Sequence, residues 1–230
     1  MRDRPTLLIT RPEEGAARLA AAARARFGAD FALLIAPLTR IVPTGAALPE
    51  ADVLIFTSEQ AVRFAGNGRP AYCVGARTAV AARAAGFVAI EGPGTAEGLS
   101  ALILAQHPAG RIVHARGAEA ALPLAQALAA AGLPAQEAII YRQESAALSP
   151  EAAALLQGAG PVLVPVFSAR GAARFAAAAD ARAPLWIAAI SDAAAQPCAA
   201  LRPARLEIAA RPDLEGVLAA MSRCLGDLPG

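Results

Sequence analysis

Apolar runs of about five residues alternate along this chain with alanine-rich helical patterns of 10–15 residues. That alternation predicts parallel sheets built from βα crossovers. The expected strands are 6–10 (TLLIT), 31–35 (FALLI), 52–56 (DVLIF), 71–74 (AYCV), 87–90 (FVAI), 111–115 (RIVHA), 135–141 (AQEAIIY), 161–167 (PVLVPVF), 184–190 (PLWIAAI) and 205–209 (RLEIA). Helices fit between nearly all of them. Pro12 follows the first strand at a helix start, where proline is tolerated. Ser149-Pro150-Glu151 opens another helix in the same way.

One phrase is written twice. Residues 53–64 read VLIFTSEQAVRF and residues 164–175 read VPVFSARGAARF. Each is an apolar run ending in Phe (Phe56, Phe167), then a Ser, then a helical stretch with an Arg-Phe pair. The likeness continues downstream. Val74-Gly75-Ala76-Arg77-Thr78-Ala79 answers to Ala189-Ile190-Ser191-Asp192-Ala193-Ala194, and Ala96-Glu97-Gly98-Leu99 answers to Leu214-Glu215-Gly216-Val217. A second pairing joins Leu8-Ile9-Thr10-Arg11 with Val113-His114-Ala115-Arg116. The unit 52–105 is thus followed by 111–141, whereas the unit 162–224 is completed by 6–35 from the other end of the chain. The expected fold class is α/β: two similar doubly wound, flavodoxin-like domains with parallel five-stranded sheets, joined by a two-stranded linker. One domain is discontinuous, 1–36 plus 146–230; the other, 42–138, is inserted; the linkers are 37–41 and 139–145. Two crossings hold such domains together yet permit a hinge, and a cleft between similar domains is a usual place for a ligand.

Composition changes this picture little. A hydrophobic fraction of 56% raises the question of a membrane protein. A spanning helix needs roughly 20 consecutive apolar residues, and the longest apolar run, 31–38, is far shorter. The start, MRDRPTLLITRP, holds too short an apolar stretch for a signal peptide, so the expectation is a soluble cytoplasmic protein. The net charge of +2, without basic or acidic blocks, disfavours nucleic-acid binding. All 21 basic residues are Arg, which excludes a Schiff-base lysine and the usual attachment of pyridoxal phosphate. Cys73, Cys198 and Cys224 form no CxxC pair, and Cys73 reads as a buried strand thiol. His107 and His114 lack partners at metal-ligand spacing, so no metal is expected. There is no GxSxG and no GxGxxG after a strand.

Several pieces, in order across nearly the whole chain, resemble the uroporphyrinogen-III synthase family. They are Ile55-Phe56-Thr57-Ser58 with Ala61-Val62; Val74-Gly75 with Thr78-Ala79; Arg116-Gly117; Ile140-Tyr141-Arg142; and Phe167-Ser168. The discontinuous domain is also a feature of that family. In the second counterpart of Val74-Gly75-Ala76-Arg77-Thr78, many members keep Gly and Thr, whereas this chain has Ser191-Asp192-Ala193-Ala194. The resemblance implies a lyase without a cofactor. Its substrate would be hydroxymethylbilane, a linear tetrapyrrole with eight carboxylates. The enzyme removes the terminal hydroxyl as water and closes the macrocycle with the last ring inverted, through a spirocyclic intermediate, giving uroporphyrinogen III. Unaided closure gives the uninverted isomer I, so catalysis is by positioning. The absence of Lys, a metal cluster and nucleophile motifs agrees with such chemistry.

The residues supply candidates for a site. The strand ends at Thr10-Arg11, Thr57-Ser58, Gly75, Ser168 and Ser191 start helices, and free N–H groups there bind anions. For Ser58 and Ser168, helix capping and a substrate-facing backbone are both open, and the two can coexist. Arg11, Arg77, Arg116 and Arg170 are candidates for charge-assisted contacts to carboxylates; solvated arginines are the alternative. Thr78 and Gly117 join this binding set through the family motifs. Tyr141, at the end of AQEAIIY where the chain passes back toward the first domain, is the candidate catalytic residue, as the resemblance also implies. A phenol with a pKa near 10 is protonated at neutral pH and can donate a hydrogen bond or a proton to the departing hydroxyl; interdomain packing is its alternative role. Tyr72 and Trp186 read as core, and His114 stands near a strand end beside Arg116. The expected protein is a monomer acting on a small molecule. The rival reading is a two-domain cytoplasmic small-molecule-binding protein without catalysis, disfavoured by few aromatic residues. A nucleotide-using enzyme is disfavoured by the missing Gly-rich loop.

Overall fold

A computed structural model describes residues 4–28, 31–119 and 123–226. The strands, in chain order, are β1 Thr6–Ile9, β2 Leu33–Ile35, β3 Thr39–Pro43, β4 Val53–Phe56, β5 Pro70–Cys73, β6 Val88–Glu91, β7 Ile112–Gly117, β8 Ala135–Ser145, β9 Val162–Val166, β10 Leu185–Ala189 and β11 Arg205–Ile208. The helices are α1 Glu13–Phe27, α2 Glu59–Val62, α3 Ala76–Ala84, α4 Ala96–Gln106, α5 Leu124–Ala130, α6 Pro150–Gln157, α7 Ala169–Ala178, α8 Asp192–Ala195 and α9 Leu214–Leu225, with a 3-10 helix at Gln196–Leu201. The chain divides into two compact units, Met1–Arg40 with Ser145–Gly230, and Ile41–Glu144.

The first unit holds a parallel sheet in the order β11-β10-β9-β1-β2. Its strands are buried on both faces, which is why they read as continuous apolar runs rather than alternating ones. Leu8, Val164 and Ile187 face Leu156 of α6 and Phe175 of α7. Leu7, Ile9, Leu163 and Trp186 face Leu19 of α1 and Met221 of α9. The β1–β9 ladder pairs Thr6 and Leu7 with Val162 and Leu163 and ends before Pro165, which has no N–H to donate.

In the second unit the order is β3-β8-β7-β4-β5-β6. Reversed and without β3, this is β6-β5-β4-β7-β8, which matches β11-β10-β9-β1-β2 strand for strand. The capping of α4 matches that of α9 as well. Thr95 accepts from the N–H of Gly98 (3.1 Å) and Asp213 from that of Gly216 (2.8 Å). Both glycines lie tight against the preceding loop. A Cβ on Gly98 would come within 2.4 Å of Pro93, and one on Gly216 within 2.1 Å of the Arg211 carbonyl. Leu54, Phe56, Cys73 and Val113 cover one sheet face with α2 and α3 residues, and Ile55, Tyr72 and Ile112 the other with Leu99, Ile103 and Leu128.

The expectation of five strands in this second sheet is corrected to six. Thr39–Pro43 adds an edge strand beside β8. The segment is short, half-exposed and ends at a proline, so it reads as connecting chain; an edge position tolerates all three properties. β8 also runs to Ser145, past the expected end at 141. Among the described residues, no helix is long and apolar enough to cross a membrane. Cys73, Cys198 and Cys224 are buried free thiols. Burial pushes them up to about 11, about 11 and about 12, so they remain protonated and inert.

Candidate active site

In the second unit, the chain leaves β4 for β5 and β6 on one side, and β7 and β8 extend the sheet on the other. The carboxyl ends of β4 and β7 therefore flank the point where the winding reverses, the usual ligand crevice of an open parallel sheet. A pocket of about 260 Å3 lies there, lined by Thr57, Ser58, Val74, Ala96, Arg116, Gly117, Glu119, Leu124, Tyr141 and Gln143.

Tyr141 owes its place to a bulge. Arg116 pairs with Ile139, but Gly117 pairs with Tyr141, so Ile140 is an extra residue in β8. A bulge of this kind turns two successive side chains toward one face. Ile140 and Tyr141 both pack into the same core cluster, and the Tyr141 ring lies stacked 6.0 Å from that of Phe64. Just past the end of β7, the Ala118 N–H donates to the Tyr141 carbonyl at 3.0 Å. Gly117 is what admits the ring: a Cβ there would stand 2.6 Å from Tyr141 Cε2 and Cζ and 2.9 Å from the phenol oxygen.

Arg116 is held by its neighbours. Its Nε and Nη2 donate to Glu137 at 3.0 and 2.6 Å, and its Nη1 donates to the Gly117 carbonyl at 2.9 Å. The pair is largely enclosed, with side-chain exposures of 16% and 27%. Glu137 therefore cancels much of the long-range field of Arg116, which leaves the guanidinium short, directed N–H contacts as what it can offer. Beneath it, His114 is 1% exposed. Its Nε2 lies 3.1 Å from Thr57 Oγ1. Burial lowers its pKa to about 4, with Glu137 opposing and Arg116 reinforcing the shift, so the imidazole is neutral near pH 7.

Of the thirteen candidates read from the sequence, this pocket brings together Thr57, Ser58, Arg116, Gly117 and Tyr141. Ser58 caps α2, accepting from the Gln60 N–H at 3.2 Å. Gly75 starts α3 just beyond Val74, in extended backbone and close against the 92–94 loop: its Cβ would meet Gly94 Cα at 3.1 Å, a tight contact. Arg77 is exposed on α3 and Thr78 is buried within it, and neither lines the pocket. The other five lie in the first unit. Thr10 follows β1. Arg11 stacks over the Phe167 ring, 3.9 Å from its centroid, at the corresponding reversal between β9 and β1. Ser168 caps α7 through the Gly171 N–H (3.0 Å), and Ser191 caps α8 through the Ala194 N–H (3.4 Å). Arg170 is exposed on α7. Sequence reasoning missed Gln143, Glu119 and the apolar wall of Val74, Ala96 and Leu124. Gln143 had a usable signal, since it stands two residues after Tyr141 on one strand. Among the described residues, no group of three or more His, Cys, Asp or Glu is placed to hold a metal ion.

These features define an α/β protein with parallel sheets and a small, polar-rimmed pocket at a topological switch point. The family model described as uroporphyrinogen-III synthase HemD matches residues 18–219. The chain belongs to the uroporphyrinogen-III synthase family. Among solved structures, it is similar to uroporphyrinogen-III synthetase from Helicobacter pylori, at 17% identity and a TM-score of 0.63, covering 96% of this chain and 98% of that one. A mutant uroporphyrinogen III synthase from Thermus thermophilus also matches, at 16% identity and a TM-score of 0.46, with the same two coverages. No curated protein matches the chain in sequence.

Proposed function

We propose that this chain converts hydroxymethylbilane to uroporphyrinogen III, with the pocket at the β4/β7 reversal as the seat of the reacting ring. The family match across 18–219 carries this reading and favours it over a binding protein without catalysis. The family's reaction needs no cofactor, because the substrate already carries its leaving group. What it needs is one ring held so that its substituted carbon attacks first.

The pocket suits that task in size and polarity. Sites for drug-sized ligands run from roughly 300 to 1,000 Å3. At about 260 Å3, this one fits a single pyrrole ring with its acid side chains. The Ser58 helix start and the Arg116 guanidinium offer N–H groups to carboxylates, while Val74, Ala96 and Leu124 offer an apolar wall to the ring face. The N–H groups at Gly75, Ser168 and Ser191, the Thr10 and Thr78 hydroxyls, and the guanidinium groups of Arg11, Arg77 and Arg170 complete the proposed binding set for the remaining acids. Tyr141 is the proposed proton or hydrogen-bond donor to the departing hydroxyl. We take the enzyme to be a cytoplasmic monomer of two flavodoxin-like domains, with β3 and β8 as its two-stranded connection.

The decisive experiment supplies the purified protein with freshly made hydroxymethylbilane and resolves the uroporphyrin isomers after oxidation. Isomer III in excess is expected; isomer I alone, at the rate seen without protein, would end this reading. For Tyr141, the phenylalanine variant is expected to keep its melting temperature and lose turnover by about 10²–10⁴-fold, the usual span for one acid–base group. Unchanged turnover would remove the tyrosine from the mechanism.

A further inference from the structure

His114 is a buried histidine with one satisfied nitrogen. Nε2 reaches Thr57 Oγ1 at 3.1 Å, whereas Nδ1 is buried and has no hydrogen-bond partner among the described residues. A neutral imidazole carries a single proton, on one nitrogen or the other. If the proton sat on Nδ1, the core would enclose an orphaned N–H. If it sits on Nε2, the core encloses only a bare lone pair. Buried orphan donors are the rarer and costlier defect. The burial pattern therefore selects the Nε2–H tautomer, and Nε2–H donates to Thr57.

That choice sets the polarity of Thr57. A threonine hydroxyl has one proton and two lone pairs. With one lone pair occupied by His114, the hydroxyl proton is left to point elsewhere, and Thr57 lines the pocket. We propose that His114 is a positioning residue that fixes Thr57 as a hydrogen-bond donor to a carboxylate oxygen of the substrate. The opposite tautomer would turn Thr57 into an acceptor and aim lone pairs at an anion. The inference rests on the reading of this pocket as the substrate site; the tautomer itself does not.

Two measurements test it. The first is 15N NMR of histidine-labelled protein without substrate. The chain has only two histidines, and His107→Asn assigns the spectrum. Asn tolerates the left-handed backbone found at His107 (φ 43°). The His114 pattern is expected to be that of Nε2–H, unchanged from pH 6 to 8. An Nδ1–H pattern would overturn the proposal, whatever the protein's activity. The second is a steady-state comparison. His114→Leu is expected to raise KM by roughly tenfold with kcat within about twofold, the worth of one oriented hydrogen bond to a charged group. His114→Gln, whose amide N–H can replace Nε2–H, is expected to recover most of that loss. In a Thr57→Val background, His114→Leu is expected to add nothing. Equal losses in both backgrounds, or no rescue by glutamine, would mark His114 as a packing residue only. A wild-type protein that makes isomer I alone would defeat the functional reading and the proposed role of Thr57, while leaving the tautomer result standing.

Discussion

Replacing Gly117 by alanine tests the link between the β8 bulge and the chemistry. The added Cβ would stand 2.6 Å from two ring carbons of Tyr141, and an ordinary contact is 3.4–4 Å. The ring must therefore retreat by about 0.8 Å or more. It cannot swing freely, because Tyr141 is 7% exposed and Phe64 stacks against it. Overpacking of this kind costs about 1–3 kcal/mol. A displacement approaching 1 Å at a reacting group costs roughly 100-fold in rate. Gly117→Ala is thus expected to unfold at lower urea, by an amount worth about 1–3 kcal/mol, yet to stay folded at 25 °C with turnover down about 100-fold. In a Tyr141→Phe background, its further effect on turnover should shrink to a few-fold, since the displaced group is already gone. The assay is initial rate of uroporphyrinogen III formation, beside urea melts of all four proteins. Gly117→Ala with wild-type turnover would refute the reasoning. So would a full 100-fold loss in the Tyr141→Phe background, since Gly117 would then act by another route.

Three further outcomes follow from the same structure. Protonation of His114 links stability to pH: its folded pKa of about 4 lies below the usual 6.5, so its contribution is fully present above about pH 6.5 and is lost as pH falls toward 4. The loss is on the order of 3 kcal/mol, and urea melts between pH 4 and 7 should show a flatter profile for His114→Leu than for wild type. The three thiols, held protonated by burial, should resist alkylation by iodoacetamide at pH 8 in the native protein and react in urea; one fast-reacting thiol in the native state would contradict the packing. Glu137→Gln removes the carboxylate that Arg116 grips; it should strengthen binding of the anionic substrate, read as a lower KM whose advantage fades with added salt.

The fold was legible wherever the chain repeats itself. The phrase at 53–64 and its echo at 164–175 mark β4 and β9, and their neighbours place β1 and β2 beside β9 although the chain between lies in the other unit. Short apolar runs bounded by turn residues mark strands buried on both faces. β3 was lost because an edge strand needs no such run, and TRIVP is half-exposed. The candidate site divides along the same physical line. Tyr141, expected at a strand end, lies within β8; Thr57, Ser58 and Arg116 stand at strand ends, and strand ends can be found from pattern. The bulge at Ile140 cannot, because it exists only in the register between two strands. Arg116 looked from the sequence like an open cation, since nothing in one strand reveals that Glu137 lies across from it. His114 gave no distinguishing signal, since a strand histidine reads alike whether it meets a pocket wall or a core.

These cases share a cause that bears on how the site works. The groups proposed to touch substrate are ordinary ones: a threonine, a serine cap, an arginine, a tyrosine. None carries a reactive cofactor. What sets their behaviour is a second set of residues behind them. Gly117 and the Ile140 bulge decide where the Tyr141 ring lies. Glu137 decides how far the charge of Arg116 reaches. His114 decides which way the Thr57 hydroxyl points. For a reaction whose barrier is chiefly one of orientation, loss of a contact and loss of its support are the same kind of error. Substitutions of Gly117 or His114 should therefore cost about as much as losing the contact each one supports, whereas loss of Glu137, which restrains rather than supports Arg116, should not.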